Sequence, residues 1–159
     1  MEYSLYFLIY KTLFLIYHMS ISEYVNMKKG GFMKIVQILK ALGDETRIKI
    51  INILRNGPLC VCEIEAILEI TQSNASRHLN KLMNANLVTY YKEAKYVYYK
   101  LNEDTLNEYS FIKSILEDGL EKEEKLKLDY DILVNYKETG LTCETVTQIR
   151  EVINKIKSN

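Results

Sequence analysis

The sequence predicts a mainly α fold carrying a β-hairpin, the winged helix-turn-helix. Three observations point there. Three helical stretches lead up to a break at Ile70-Thr71. The helix after the break has one apolar stripe and a polar, basic outer face. The apolar period then changes from helical to β-like around a short charged turn.

Each element follows from its residues. Met33–Leu42, MKIVQILKAL, sets Ile35, Ile38, Leu39 and Leu42 at helical spacing. Gly43 ends that helix, and the Asp44 carboxylate is placed to accept from the free amides of the next. The second helix, DETRIKIINILRNG, is expected to bury Ile48, Ile51 and Leu54 and to close at Asn56-Gly57. Pro58 suits the entry to a third helix over roughly 59–69, because its missing N–H is no loss in a first turn. That helix presents Ile64, Ile67 and Leu68 inward.

In QSNASRHLNKLMNANLV, Ala75, Leu79, Leu82 and Met83 form the stripe. Ser73, Arg77, Asn80, Lys81 and Asn84 face the other way, flanked by Gln72, Asn74 and Ser76, with no acidic residue between Thr71 and Lys92. LVTYYKEAKYVYYKL reads as two strands joined at Lys92-Glu93-Ala94-Lys95, where Ala94 is a poor turn residue. Residues 104–118 and 120–139 read as helices, and 143–157 as a last one.

Composition narrows the function. Lys plus Arg and Asp plus Glu are 21 each, so a nucleic-acid surface must be a local patch. Three cysteines are too few for a disulfide scaffold and point to a reduced, cytoplasmic chain. No catalytic triad, phosphate loop or carboxylate pair stands at a workable spacing, so no enzyme is expected. The apolar opening is interrupted by Lys11 and stops at His18, short of the about 20 residues a membrane span needs. Lys29-Gly30-Gly31 back-translates to a purine run resembling a ribosome-binding site just before Met33. The expected organisation is therefore a leader over 1–32 that is not native, with translation starting at Met33. A DNA-binding domain over 33–109 and a C-terminal helical dimerisation or extension region over 110–159 follow.

The outer face of the fourth helix fits the major groove. Asn and Gln pair bidentately with adenine, Arg with guanine, and Ser with phosphate or base. Lys92 and Lys95 of the hairpin are placed to hold the neighbouring backbone or the minor groove. The alternative is a merely solvated face.

Two of the three cysteines, Cys60 and Cys62, stand at i and i+2 in PLCVCEI. On an ideal helix such residues point about 200° apart, so they converge only where the chain leaves regular geometry. A helix start is the easiest place for that. First-turn amides also favour the thiolate that binds soft ions. A redox dithiol is the competing reading.

The strings LKALGDETRIKIINIL, LCVCEI, SNASRHLNKLMNANLV and YYKEAKYVYYKL, in order across roughly 37–105, resemble the ArsR/SmtB family of metal-responsive repressors. The resemblance implies a homodimer that sits on double-stranded operator DNA and leaves it when a toxic metal or metalloid binds. It makes Gln72, Ser73, Asn74, Ser76 and Arg77 the leading operator contacts, with Lys81 beside them. His78 belongs to the same string but lies next to the buried stripe, which favours a structural role. The Cys-Val-Cys string resembles the branch that binds As(III) or Sb(III), an inducer rather than a cofactor. Some members carry a further cysteine where this chain has Glu65, leaving Cys143 as the candidate third ligand, against a small buried hydrophobe. No histidine lies beyond His78, so the family's C-terminal zinc pattern is absent. The helices near Met33 and Phe111 are implied at the dimer interface. Sensing of cadmium, lead or peroxide by the same thiols is the nearest alternative, and a small dithiol oxidoreductase the remote one. Against the latter, there is neither a C-x-x-C motif nor a βαβ pattern.

Overall fold

The structure, a computed structural model, describes residues 34–119, 122–140, 151, 153 and 154. The expected leader over 1–32, Cys143 and most of the expected last helix lie outside the described residues. The chain divides after Gln37. Of the first unit residues 34–37 are described, and they are helical. The second unit, from Ile38 onward, contains every element below.

It opens with helical residues 38–42, which bury Ile38, Ala41 and Leu42. The expected four-residue stripe is not all internal, since Leu39 is 51% exposed and Ile35 is exposed too. Helix α1, Glu45–Leu54, starts at Asp44, whose extended backbone and carboxylate cap it by accepting the Arg47 N–H at 3.1 Å. The buried Arg47 guanidinium in turn donates to the carbonyls of Lys40 and Ala41, tying 38–42 to α1. Ile50, Ile51, Ile53 and Leu54 are all internal, so α1 is the central helix, buried on more sides than one stripe suggests.

The third helix begins later than expected. After Gly57, at φ +108, and Pro58 the chain forms a two-residue strand, β1, Leu59–Cys60. Helix α2 then covers Val61–Leu68. Leu59 and Cys60 pair with a later strand instead of coiling, and the Cys60 N–H is taken by the Glu63 carboxylate. Ile64 and Ile67 are fully buried, and Leu68 half so. Glu69 ends α2 in the left-handed region, at φ 52.

Thr71 caps α3, Gln72–Asn84, accepting the Asn74 N–H at 3.3 Å. Ala75, Leu79 and Leu82 are fully buried, as the stripe requires, while Met83 is partly covered. Strands β2, Val88–Glu93, and β3, Tyr96–Leu101, form the antiparallel hairpin, and the sheet order is β1-β3-β2. Glu93 faces Tyr96 across a two-residue turn. Ala94 sits at φ 50 whereas Lys95 has no positive φ, which excludes a type I′ turn.

The expected single helix over 104–118 is broken. Helix α4, Glu103–Glu108, stops at Tyr109, whose backbone leaves the helical region as its ring meets Phe111 edge-on at 6.2 Å. Helix α5, Phe111–Ser114, runs into a π-helical turn, Ile115–Gly119. Helix α6, Glu124–Glu138, buries Leu126, Ile132, Leu133 and Tyr136 in the same core as α1, α2 and α3. Of the last expected helix, residues 151, 153 and 154 are helical, and Ile153 is buried. Among the described residues no helix is long and apolar enough to cross a membrane.

Candidate thiol site and nucleic-acid interface

Cys60 is the last residue of β1 and the N-cap of α2, with extended backbone at φ −80 and ψ 164. Cys62 lies in the first turn. Their Cα atoms are 5.5 Å apart and their Sγ atoms are bonded to each other. The departure from helical geometry that convergence demands is thus made at the cap, and no turn of α2 is lost. Cys60 is 1% exposed and Cys62 half-buried.

A buried carboxylate organises this turn. Glu63 Oε2 accepts the Cys60 N–H at 2.6 Å, the acidic half of a capping box. Its other oxygen, Oε1, accepts from the Tyr136 hydroxyl of α6 at 2.8 Å. Burial, then the bond to Glu63 and its charge, push the Tyr136 phenol far above its usual 10, so it remains a donor at any ordinary pH. Next to it, Lys137 Nζ donates to the Asn56 carbonyl; burial lowers the Lys137 ammonium pKa while the Glu63 charge acts the other way. Neither Glu63 nor Tyr136 was expected at the site. Cys-x-x-Glu ahead of an apolar run is a capping-box signature and marks Glu63. Nothing local marks Tyr136, 73 residues away.

The outer face of α3 emerges as expected. Gln72, Ser73, Arg77, Asn80, Lys81 and Asn84 are exposed, while Asn74 and Ser76 are half-covered at its edge. Arg77 donates to Asn74 Oδ1 at 2.8 Å, and the Thr71 and Ser73 hydroxyls lie 3.2 Å apart. Lys92 and Lys95 are exposed on the hairpin, with the Lys95 ammonium 5.1 Å from the centre of the Tyr96 ring.

His78 does not join that face. It is 5% exposed, and its Nδ1 lies 3.3 Å from Asp44 Oδ1 at the cap of α1. Burial lowers its pKa from 6.5, the Asp44 charge opposes that, and the Arg77, Arg47 and Lys81 charges lower it further. Asp44 has the opposite balance. Burial raises its pKa, but the Arg47 N–H and the charges of Arg47, His78 and Lys81 outweigh it, leaving the carboxyl below 3.8. His78 is thus packed in the interior beside the cap of α1, and its Nδ1 makes no hydrogen bond there.

Comparison with known proteins fits these features. Residues 44–90 match the model of the bacterial regulatory protein, arsR family. The chain is 40% identical over 80 residues to the cadmium resistance transcriptional regulatory protein CadC homolog of Staphylococcus aureus, across 50% of this chain and 66% of that one. It is 40% identical over 75 residues to the arsenical resistance operon repressor of Bacillus subtilis, across 46% of this chain and 71% of the relative. The homodimeric winged helix-turn-helix DNA-binding domain of a Mycobacterium bovis protein superposes with a TM-score of 0.51 at 24% identity, over 60% of this chain and 89% of that domain. With α1, α2, α3 and the hairpin in the winged helix-turn-helix arrangement, the chain belongs to the arsR family of bacterial regulatory proteins, and is a transcriptional regulator rather than an enzyme.

Proposed function

We propose that the protein is a homodimeric repressor that grips double-stranded operator DNA through α3 and the hairpin, and releases it when As(III) or Sb(III) bridges Cys60 and Cys62. The observation that carries this reading is the meeting of the two sulfurs at the α2 cap. A soft, three-coordinate ion takes thiolates in preference to oxygen donors. Arsenite condenses with two thiols to give a dithiolate and two waters, As(OH)3 + 2 RSH → (RS)2AsOH + 2 H2O. Relatives named for arsenical and cadmium resistance support the choice of a soft ion.

Among the described residues no group of three or more His, Cys, Asp or Glu is arranged for a metal. Cys143, which lies outside the described residues, is carried from the sequence as the candidate third donor. Operator contact is assigned to Gln72, Ser73, Asn74, Ser76, Arg77, Lys81, Lys92 and Lys95, all exposed or at the edge of one face or on the hairpin.

Gel shifts of the reduced protein on DNA upstream of its gene, with and without arsenite, test the reading. Retardation that arsenite relieves, in the wild type but not in Cys60→Ser/Cys62→Ser, is expected. No retardation at low salt sinks the DNA assignment, and release that survives the double substitution sinks the sensor. The bond between the sulfurs supports a second reading, a thiol-oxidation switch. Release by peroxide with indifference to arsenite selects it.

A further inference from the structure

The sensor turn is held from a helix far along the chain. Glu63 is 8% exposed, and each of its carboxylate oxygens accepts one hydrogen bond: Oε2 from Cys60 N–H at 2.6 Å, Oε1 from Tyr136 Oη–H at 2.8 Å. Tyr136 is 1% exposed, so neither bond competes with water. A charged acceptor makes both stronger than neutral ones. Further along, α6 is fastened to the elements before the turn. Asn52 Nδ2 donates to the Leu126 carbonyl at 2.7 Å, the Lys49 ammonium lies 3.7 Å from Asp129, and Lys137 donates to Asn56. Cys60 is also held from the other side, opposite Tyr98 in the sheet.

In the reduced protein the direct bond between the sulfurs is gone, and an ion that bridges them must hold both at one fixed geometry about itself. Cys60 is fixed through its backbone by Glu63 and by β3, so it cannot adjust freely. We propose that Tyr136 and Glu63 are positioning residues that act as a brake on the sensor: α6, through this carboxylate, stabilises the unliganded cap and raises the ligand concentration needed to switch the protein. This rests on the thiol site proposed above. It adds that the threshold is set from α6, outside the segment that matches the family model, which ends at residue 90. By reciprocity, ligand at the cysteines loosens the hold of Tyr136 on Glu63.

Tyr136→Phe removes one hydroxyl and keeps the ring, and Glu63→Gln keeps the shape and removes the charge. Arsenite titration of the reduced full-length protein, followed by sulfur-to-arsenic charge-transfer absorbance, is expected to show about 3–10-fold tighter binding in each. The double variant should gain no more than the better single, since both break one chain of bonds. Ile132→Val, which trims the buried face of α6 without touching the carboxylate, should leave affinity unchanged. A second readout does not depend on arsenite. Cys60 is 1% exposed, so its alkylation by iodoacetamide in the reduced protein reports opening of the turn. It should quicken several-fold in Tyr136→Phe and in Glu63→Gln, and not in Ile132→Val. Equal behaviour of Tyr136→Phe and Ile132→Val in either readout, or single effects that multiply, overturns the brake. Absence of arsenite binding by the wild type overturns the proposed inducer instead, and the alkylation rates then decide the brake alone.

Discussion

Cys60 stands directly across the β1–β3 ladder from Tyr98, and Tyr98 faces Tyr91 of β2 on its other side. The Tyr91 and Tyr98 rings stack at 5.5 Å with planes 18° apart. Cys60 and the hairpin therefore belong to one sheet, and a displaced Cys60 pulls on the hairpin as well as on α2. Arsenite is expected to raise amide hydrogen exchange at Tyr98 and Tyr99 in β3, an element that shares no thiol. Unchanged exchange there, alongside DNA release, would mean that the signal travels through α2 and α3 alone.

Arg77 and Lys81 are exposed, whereas Leu79 between them is fully buried. Function and stability should separate accordingly. Arg77→Ala and Lys81→Ala are expected to leave stability within about 0.5 kcal/mol. Each should weaken operator binding and lower the salt dependence by about one ion. Leu79→Ala should cost about 2–5 kcal/mol by opening a cavity. Urea melts and gel shifts at two salt concentrations check both, and an Arg77→Ala protein with undiminished DNA affinity removes that residue from the interface.

Local pattern made much of this architecture legible. Asp44 capping α1, the Ala75-Leu79-Leu82 stripe and the hairpin around Ala94-Lys95 are all set by neighbours within a few residues. The condition for Cys60 and Cys62 to converge was also readable, because regular helix geometry keeps them apart and a helix start is the easiest place to leave it. What was hidden depends on distant partners. Strand β1 is two residues long, too short for an alternating pattern, and exists because β3 pairs with it. The bonds from Tyr136 to Glu63 and from Asn52 to Leu126 join residues more than seventy positions apart. His78 was ambiguous for the same reason, since its polar partner, Asp44, sits on another helix.

Ala94 holds φ 50 in the hairpin turn, a region that disfavours a side chain. Nothing about the alanine itself offsets this, since it is exposed. Ala94→Gly is expected to stabilise the fold by about 1 kcal/mol, relief of backbone strain outweighing the added freedom of the unfolded chain. Equilibrium denaturation reads this directly. A loss of stability instead would mean that the turn does not hold this backbone in solution.

His78 and Asp44 are expected to make stability depend on pH in two separate windows. His78, held below 6.5 chiefly by burial, takes up its proton later in the folded protein than in the unfolded chain. Its contribution is complete above about pH 6.5 and is lost as the pH falls, by at most about 1.4 kcal/mol per unit. Asp44, held below 3.8, contributes above that value and loses its share only as the pH falls through its folded pKa. Wild-type stability should therefore decline between pH 7 and 5, where no carboxylate term from Asp44 is yet lost. In His78→Gln the overall stability is lower, since a buried side chain is replaced, but the decline over this range should flatten. An unchanged slope in that variant would show that the acid sensitivity arises elsewhere.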